Sequence, residues 1–239
     1  MRYPNNKISN QKYSLLNFVP LVLFHQFKFF FNLFFLCVSV SQFFEALRVG
    51  FLFTFLAPLV FVLLLTMAKE AFDDLQRFQR DKLLNLKTYR KIDPVSKLTA
   101  EVRSQDLRVG DVIYVQANER VPADLVLLFT TDRSGTVFIR TDQLDGETDW
   151  KVRRPSALTQ AVDRPEELLF MEHTKVKCEG PSNLIYEFAG VLVNEEKGSE
   201  AREPLSLENT LWAETVLASQ GYVIGLVVYT GRQTRSQMN

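Results

Sequence analysis

Val49 to Ala68 is a run of twenty residues without a charged side chain. As a helix rising 1.5 Å per residue it covers about 30 Å, the thickness of a bilayer's hydrocarbon core. Pro58 lies inside this run and predicts a kink. A second uncharged run, Phe29 to Phe44, reaches only about 24 Å as a helix. It needs the apolar residues Leu21 to Phe27, on the far side of Lys28. A cation near the start of a membrane helix can snorkel to the interface, so the spacing predicts a helix over 21–44, with Pro20 in its first turn. Only Glu45-Ala46-Leu47-Arg48 joins the two runs, which predicts a helical hairpin with both ends on one side. Lys and Arg cluster outside the hairpin (Arg2, Lys7, Lys12 and Lys28 before it, Lys69 to Lys87 after it), and the positive-inside rule puts both ends in the cytosol. Gln26, Asn32, Ser39, Ser41 and Gln42 lie in or near the first run. Polar side chains there bond to neighbouring helices or line a path.

Beyond Ala68 the pattern changes. Phe72, Leu75, Phe78 and Leu83 recur at helical spacing over 69–85, which predicts a helical connector leading out of the membrane. Its charges read as a solvated face, with Asp73–Arg77 and Arg77–Asp81 at pairing distance along the helix. From Thr88 onward short apolar runs alternate with turns: 100–103, 112–115, 125–129, 136–140, 185–193 and 222–229. Strands at this spacing suggest a sandwich or distorted jelly roll. Residues 154–183 are polar and weakly patterned, which predicts a surface insertion, and Glu195 to Pro204 reads as a charged loop. The expected organisation is a cytosolic segment 1–20, a hairpin 21–68 with helices 21–44 and 49–68, a connector 69–85, and a β-domain 86–239.

Formal net charge is zero, so no basic field points to nucleic acid. The two cysteines, Cys37 and Cys178, fall one in each part, and no metal-ligand spacing occurs. This composition places the β-domain in a reducing compartment. Residues 1–12 are polar and carry no signal-peptide pattern.

The stretch that carries chemistry is Asp142 to Lys151, DQLDGETDWK. It follows an apolar β-like run, and Asp145-Gly146 is a turn signal because glycine accepts positive φ. A turn there holds the Glu147 carboxylate at the tip of a β-domain. By itself Asp-Gly-Glu-Thr is an ordinary hairpin tip. Around it stand Val109-Gly110-Asp111-Val112, Val121-Pro122-Ala123-Asp124, Leu207-Glu208-Asn209-Thr210 and Tyr229-Thr230-Gly231-Arg232, with the two apolar runs upstream.

This set, in this order, resembles the front part of a type IV P-type ATPase, a phospholipid flippase. The spelling with Gln143 and Trp150 is most similar to the class 2 branch. The resemblance implies a membrane helical hairpin followed by a mainly β actuator domain with a distorted jelly-roll fold. It implies that Glu147 activates the water that hydrolyses an aspartyl phosphate, that Gly146 lets backbone approach the phosphate, and that Asp145 and Thr148 shape the turn. It further implies a lipid headgroup path beside the first helix, with Gln26 and Asn32 as its candidates. The partners it implies are a phospholipid and the remaining domains of the parent ATPase, with no accessory subunit required, and the location an endosomal or Golgi membrane. ATP and Mg2+ would serve the full-length parent and bind elsewhere than in these residues. Ion pumps of the superfamily read Thr-Gly-Glu-Ser here, which favours a lipid over a cation. The phosphorylation motif Asp-Lys-Thr-Gly-Thr does not occur in this sequence, so these 239 residues alone are expected to be inactive. The competing expectation is a truncated, non-catalytic membrane protein that binds or competes with a full-length flippase.

Overall fold

The computed structural model describes residues 3–93, 98–162, 174–196 and 199–239. Two compact units emerge: Ser9–Leu83, and a second made of Met1–Ile8 together with Leu84–Asn239.

The first unit is helical, with α1 (Phe18–Phe27), α2 (Phe30–Ser41) and α3 (Leu52–Leu86). The single helix expected over 21–44 is instead two helices, bent by 96° at Lys28–Phe29. Phe29 leaves the helical region, at φ −77° and ψ 125°. The Asn32 Nδ2 donates to the Gln26 carbonyl at 3.1 Å, which also accepts the Phe29 N–H at 3.2 Å. Lys28 therefore stands at a helix end, its Nζ 4.8 Å from the Phe24 ring centroid.

α3 passes through Pro58 and the expected boundary at residue 68 to Leu86, 35 residues in all. Of the described helices it alone is long and apolar enough to cross a membrane, or one of two if the bent pair α1–α2 counts as a span. Only 6% of its most apolar 18 residues are buried within the chain. Gln42, at the end of α2, is buried and accepts from the Val49 N–H at 3.0 Å, tying the helix end to the link. Ser41 bonds back to the Val38 carbonyl.

Lys69, Arg80 and Lys82 of the connector are exposed as expected, but two of its carboxylates are not part of a solvated face. Asp74 and Asp81 are buried. The segment before α1 runs along the stripe they form. Asn10 N–H donates to Asp81 Oδ2 at 2.7 Å, Lys12 N–H to Asp74 Oδ1 at 2.9 Å, and Tyr13 Oη to Glu70 at 3.3 Å. Residues 10 and 12 face the same way on an extended chain, while 81, 74 and 70 share a helix face. Arg77 pairs with Asp74 at 3.3 Å rather than with Asp73 or Asp81.

The second unit is mainly antiparallel β-sheet. Its strands are β1 (Thr88–Ile92), β2 (Thr99–Arg103), β3 (Val112–Gln116), β4 (Asp124–Thr130), β5 (Val137–Arg140), β6 (Trp150–Arg153), β7 (Thr174–Cys178), β8 (Gly190–Glu196), β9 (Ser199–Leu205), β10 (Thr210–Leu211), β11 (Val216–Leu217) and β12 (Tyr222–Tyr229). A six-stranded sheet runs β10-β4-β12-β3-β1-β2, beside sheets β11-β5-β6 and β7-β8-β9. Every residue of β4 is buried. Leu125, Leu127, Val137, Ile139, Leu217 and Val223 belong to one core cluster that joins the large sheet to the β5 sheet. A second cluster gathers around Trp212, with Phe188, Leu192 and Leu205.

Two expectations change here. Glu195 to Pro204 is not a loop; it belongs largely to the β8–β9 hairpin, with Glu195 opposite Glu200. Its Glu203 accepts from Ser156 Oγ, Ala157 N–H and Leu158 N–H, the last two at the start of the short helix α4 (Ala157–Gln160). Within the expected insertion, α4 and β7 are ordered parts of the unit, and residues 163–173 lie outside the described residues.

Residues 3–8 also belong to this unit, which moves the expected boundaries at 20 and 86. Asn6 is 1% exposed. Its Nδ2 donates to the carbonyls of Ser104 and Pro122, both at 2.9 Å, and its Oδ1 accepts the Gly231 N–H at 2.9 Å. Gly231 has φ +55°, and a Cβ there would fall 2.2 Å from the Asn5 carbonyl oxygen, so the close approach requires glycine. Buried acceptors and donors left without partners cost about 1–3 kcal/mol each. Asn6→Ala is therefore expected to destabilise this unit by about 2–3 kcal/mol, read by denaturant unfolding in detergent, whereas Lys7→Ala, at an exposed position, stays within about 0.5 kcal/mol. Equal stabilities for the two variants would contradict the anchoring role of Asn6.

Candidate functional site

β5 and β6 pair antiparallel with Arg140 opposite Trp150 and Val137 opposite Arg153. Val137 and Ile139 are fully buried, so the hairpin is rooted in the core by one face of β5. The loop 141–149 hangs from this hairpin. Its first turn is closed by Leu144 N–H and Asp145 N–H, both donating to the Thr141 carbonyl, at 2.8 and 3.0 Å. Asp145 then makes an Asx turn, its Oδ1 accepting the Glu147 N–H at 3.0 Å. Gly146, between them, has φ +76° with open space around it. The demand for glycine there is conformational, not steric, since an L side chain resists that backbone.

Lys151, the second residue of β6, closes the site. Its Nζ lies 2.5 Å from Asp145 Oδ2 and 2.8 Å from Glu147 Oε2. The three side chains differ in exposure: Asp145 4%, Lys151 21%, Glu147 54%. Asp145 is thus an internal anchor and Glu147 an outward carboxylate, with one ammonium between them. Burial pushes the Asp145 carboxyl up, but the Lys151 ammonium and the Glu147 N–H outweigh it and hold Asp145 below the usual carboxylate range. Burial likewise opposes the charge on Lys151, and its bonds to Asp145 and Glu147 overcome that and raise its pKa. The Tyr186 ring stands 5.1 Å from Lys151 Nζ, within cation–π range. Its neighbour Ile185 is fixed by the buried Trp212, whose Nε1 donates to the Ile185 carbonyl at 2.9 Å.

Of the residues expected to form the site, Asp145, Gly146 and Glu147 come together as a built turn. Thr148 is exposed and, among the described residues, makes no side-chain hydrogen bond, so its expected part in shaping the turn has no visible contact behind it. Gln26 and Asn32 belong to the helical unit, where Asn32 Nδ2 reaches both the Gln26 carbonyl and, at 3.2 Å, Gln26 Oε1. Sequence reasoning passed over Lys151 and Tyr186. Lys151 carried a local signal, a cation four residues after Glu147; Tyr186 carried none, being brought in by the fold.

The arrangement offers chemistry of one kind. A carboxylate with a free oxygen stands on a rigid turn, able to accept a proton from a water held against a partner group. Among the described residues no group of three or more metal-ligating side chains forms.

Comparison with known proteins identifies the setting of this turn. Residues 1–56 match the family described as phospholipid-translocating ATPase N-terminal, and residues 92–237 match the P-type ATPase actuator domain. A probable phospholipid-transporting ATPase IIB of Mus musculus is 49% identical over 238 residues, covering all of this chain and 20% of the relative. Phospholipid-transporting ATPase NEO1 of Saccharomyces cerevisiae is 48% identical over the same length, again with 20% of the relative covered. A probable phospholipid-transporting ATPase tat-5 of Caenorhabditis elegans is 50% identical over 235 residues, 98% of this chain and 22% of the relative. The chain thus spans about a fifth of the length of these relatives. With residues 92–237, more than half of the chain, matching the actuator model, and residues 1–56 matching the phospholipid-translocating N-terminal model, the chain belongs to the P-type ATPases, as an N-terminal and actuator portion of the phospholipid-transporting kind.

Proposed function

We propose that Glu147 is the general base for hydrolysis of an aspartyl phosphate carried by another domain of a full-length phospholipid-translocating ATPase. The observation that carries this reading is the tethered carboxylate: Oε2 held at 2.8 Å by Lys151, the side chain 54% exposed, on a turn that requires Gly146. Water attacks the phosphorus, a new P–O bond forms, and the bond to the aspartyl oxygen breaks. The aspartate leaves as carboxylate, and the water proton passes to Glu147. General-base assistance of this kind contributes ~10²–10⁴ in rate. ATP and Mg2+ would serve the other domains of the full-length parent, as the family resemblance implies.

The transported substrate is a phospholipid, as the relatives' names say of those proteins. The Gln26–Asn32 pair at the break between α1 and α2 presents amide groups in an apolar setting, which suits a polar headgroup moving beside it. Both ends of the hairpin lie in the cytosol, in an endosomal or Golgi membrane, and no accessory subunit is required. A tag at residue 1 is therefore expected to be digested by protease added to sealed vesicles whose cytosolic face is outward. A shielded tag would refute the topology.

In the full-length protein, Glu147→Gln keeps the size and most hydrogen bonding of the side chain but removes the proton acceptor. The variant is expected to take phosphate from ATP and to hold it, so that phosphoenzyme rises at steady state while lipid transport falls ~10²-fold or more. Phosphoenzyme at the wild-type level with normal transport would remove Glu147 from the mechanism.

A further inference from the structure

We infer that Lys151 is a positioning residue for the hydrolytic step, holding Glu147 with one oxygen tethered and the other free. The inference rests on the reading of Glu147 above and adds a component to it.

Three observations converge on Lys151. The first is geometry. Its ammonium bonds Glu147 Oε2 and Asp145 Oδ2 together, and among the described residues Glu147 Oε1 has no partner. A glutamate on an exposed turn has three rotatable side-chain bonds and no reason to keep one rotamer. The Lys151 tether removes that freedom while leaving one oxygen available for a water proton. The second is anchoring. Lys151 is itself held on several sides: by Asp145, whose side chain is 4% exposed, by the Tyr186 ring at 5.1 Å, and by its place in β6 opposite Ile139. A lysine on an open surface would pass no order to its partner; this one does, because its own position is fixed.

The third is charge. The segment Asp142 to Lys151 carries four carboxylates and a single ammonium. A phosphoryl group is strongly anionic, so a loop of uncompensated carboxylates would be repelled from it. Lys151 neutralises one of the two carboxylates it touches, which eases the approach of Glu147 to an anionic centre. Placement and charge both predict that loss of Lys151 slows hydrolysis and leaves phosphate transfer from ATP intact. Both effects act through Glu147.

The test uses the full-length protein with phosphoenzyme labelled from ATP, and four variants: Lys151→Met, Lys151→Arg, Glu147→Gln, and Lys151→Met combined with Glu147→Gln. Lys151→Met is expected to form phosphoenzyme as the wild type does, which shows that it is folded. It is then expected to lose the label roughly 10- to 100-fold more slowly, the scale of loss that misplacement of a reacting group brings. Lys151→Arg keeps the cation and should recover most of the rate. In the Glu147→Gln background, Lys151→Met should add no further slowing, because residues acting as a unit are not additive. Wild-type decay in Lys151→Met would overturn the inference, as would a loss that multiplies with that of Glu147→Gln or one that Lys151→Arg fails to relieve. Wild-type decay in Glu147→Gln alone is a separate outcome. It would overturn the role of Glu147, and this inference with it.

Discussion

One ammonium shared by two carboxylates holds the site together. The Asp145–Gly146–Glu147 turn is short and lies at the edge of the unit, and a loop of that kind ordinarily samples many arrangements. Here the Asx turn fixes the backbone and Lys151 fixes the side chains. Lys151 can do so because β6 is paired with β5, and β5 buries Val137 and Ile139 in the core shared with the large sheet. Order thus passes from packed strands to a strand-borne cation, and from the cation to an exposed carboxylate. Sites supported by a regular element and a second layer of contacts are more sharply positioned than sites on loops alone.

The same economy of long-range anchors recurs at the start of the chain. Asn6 joins three separate backbone segments of the β unit through one buried carboxamide, and Gly231 leaves the space that lets it do so. In the helical unit, Asp81 and Asp74 receive the backbone N–H groups of Asn10 and Lys12 along one helix face. The first arrangement satisfies backbone groups of three segments of the β unit, and the second meets the hydrogen-bonding needs of the extended segment before α1. Arg235 adds a comparable lock near Asn239. Its guanidinium is buried between Trp212 and Tyr229, Nη2 donates to Glu179 at 2.6 Å, and its backbone N–H donates to the buried carboxylate of Asp124. Residues far apart in sequence thus close the β unit around the core that supports β5 and β6.

Much of this was legible from residue order. The uncharged run after Val49, most of the alternating strands and the Asp-Gly turn each follow from local rules and lie close to where those rules put them, whereas the run 185–193 becomes strand only from Gly190 onward. Departures occur where a distant partner decides. A composition-based reading joins Leu21 to Phe44 because nothing in that stretch but Lys28 opposes a helix. At the break Asn32 reaches back to Gln26, a local contact that hydropathy does not register. The charges of 195–204 suggested a loop, yet Glu203 is occupied by Ser156 and the start of α4, about forty-five residues earlier in the chain. Asp74 and Asp81 resembled solvated helix charges because the partners that bury them include backbone N–H groups of the segment before α1, which carry no sequence signature. In the site, Glu147 and Gly146 were legible from the motif. The part played by Lys151 depended on knowing that β6 starts at Trp150, and Tyr186 could be found only by folding the chain.

The central claim is that Glu147 serves the breakdown of the phosphoenzyme and not its formation. A single-turnover chase measures this most directly. Full-length protein is labelled briefly from ATP, excess unlabelled ATP is added, and the loss of acid-stable label is followed in time for the wild type and Glu147→Gln. The account predicts equal rates of label uptake and a decay slowed by ~10²-fold or more in the variant. Equal decay rates, or a defect confined to uptake, would contradict it.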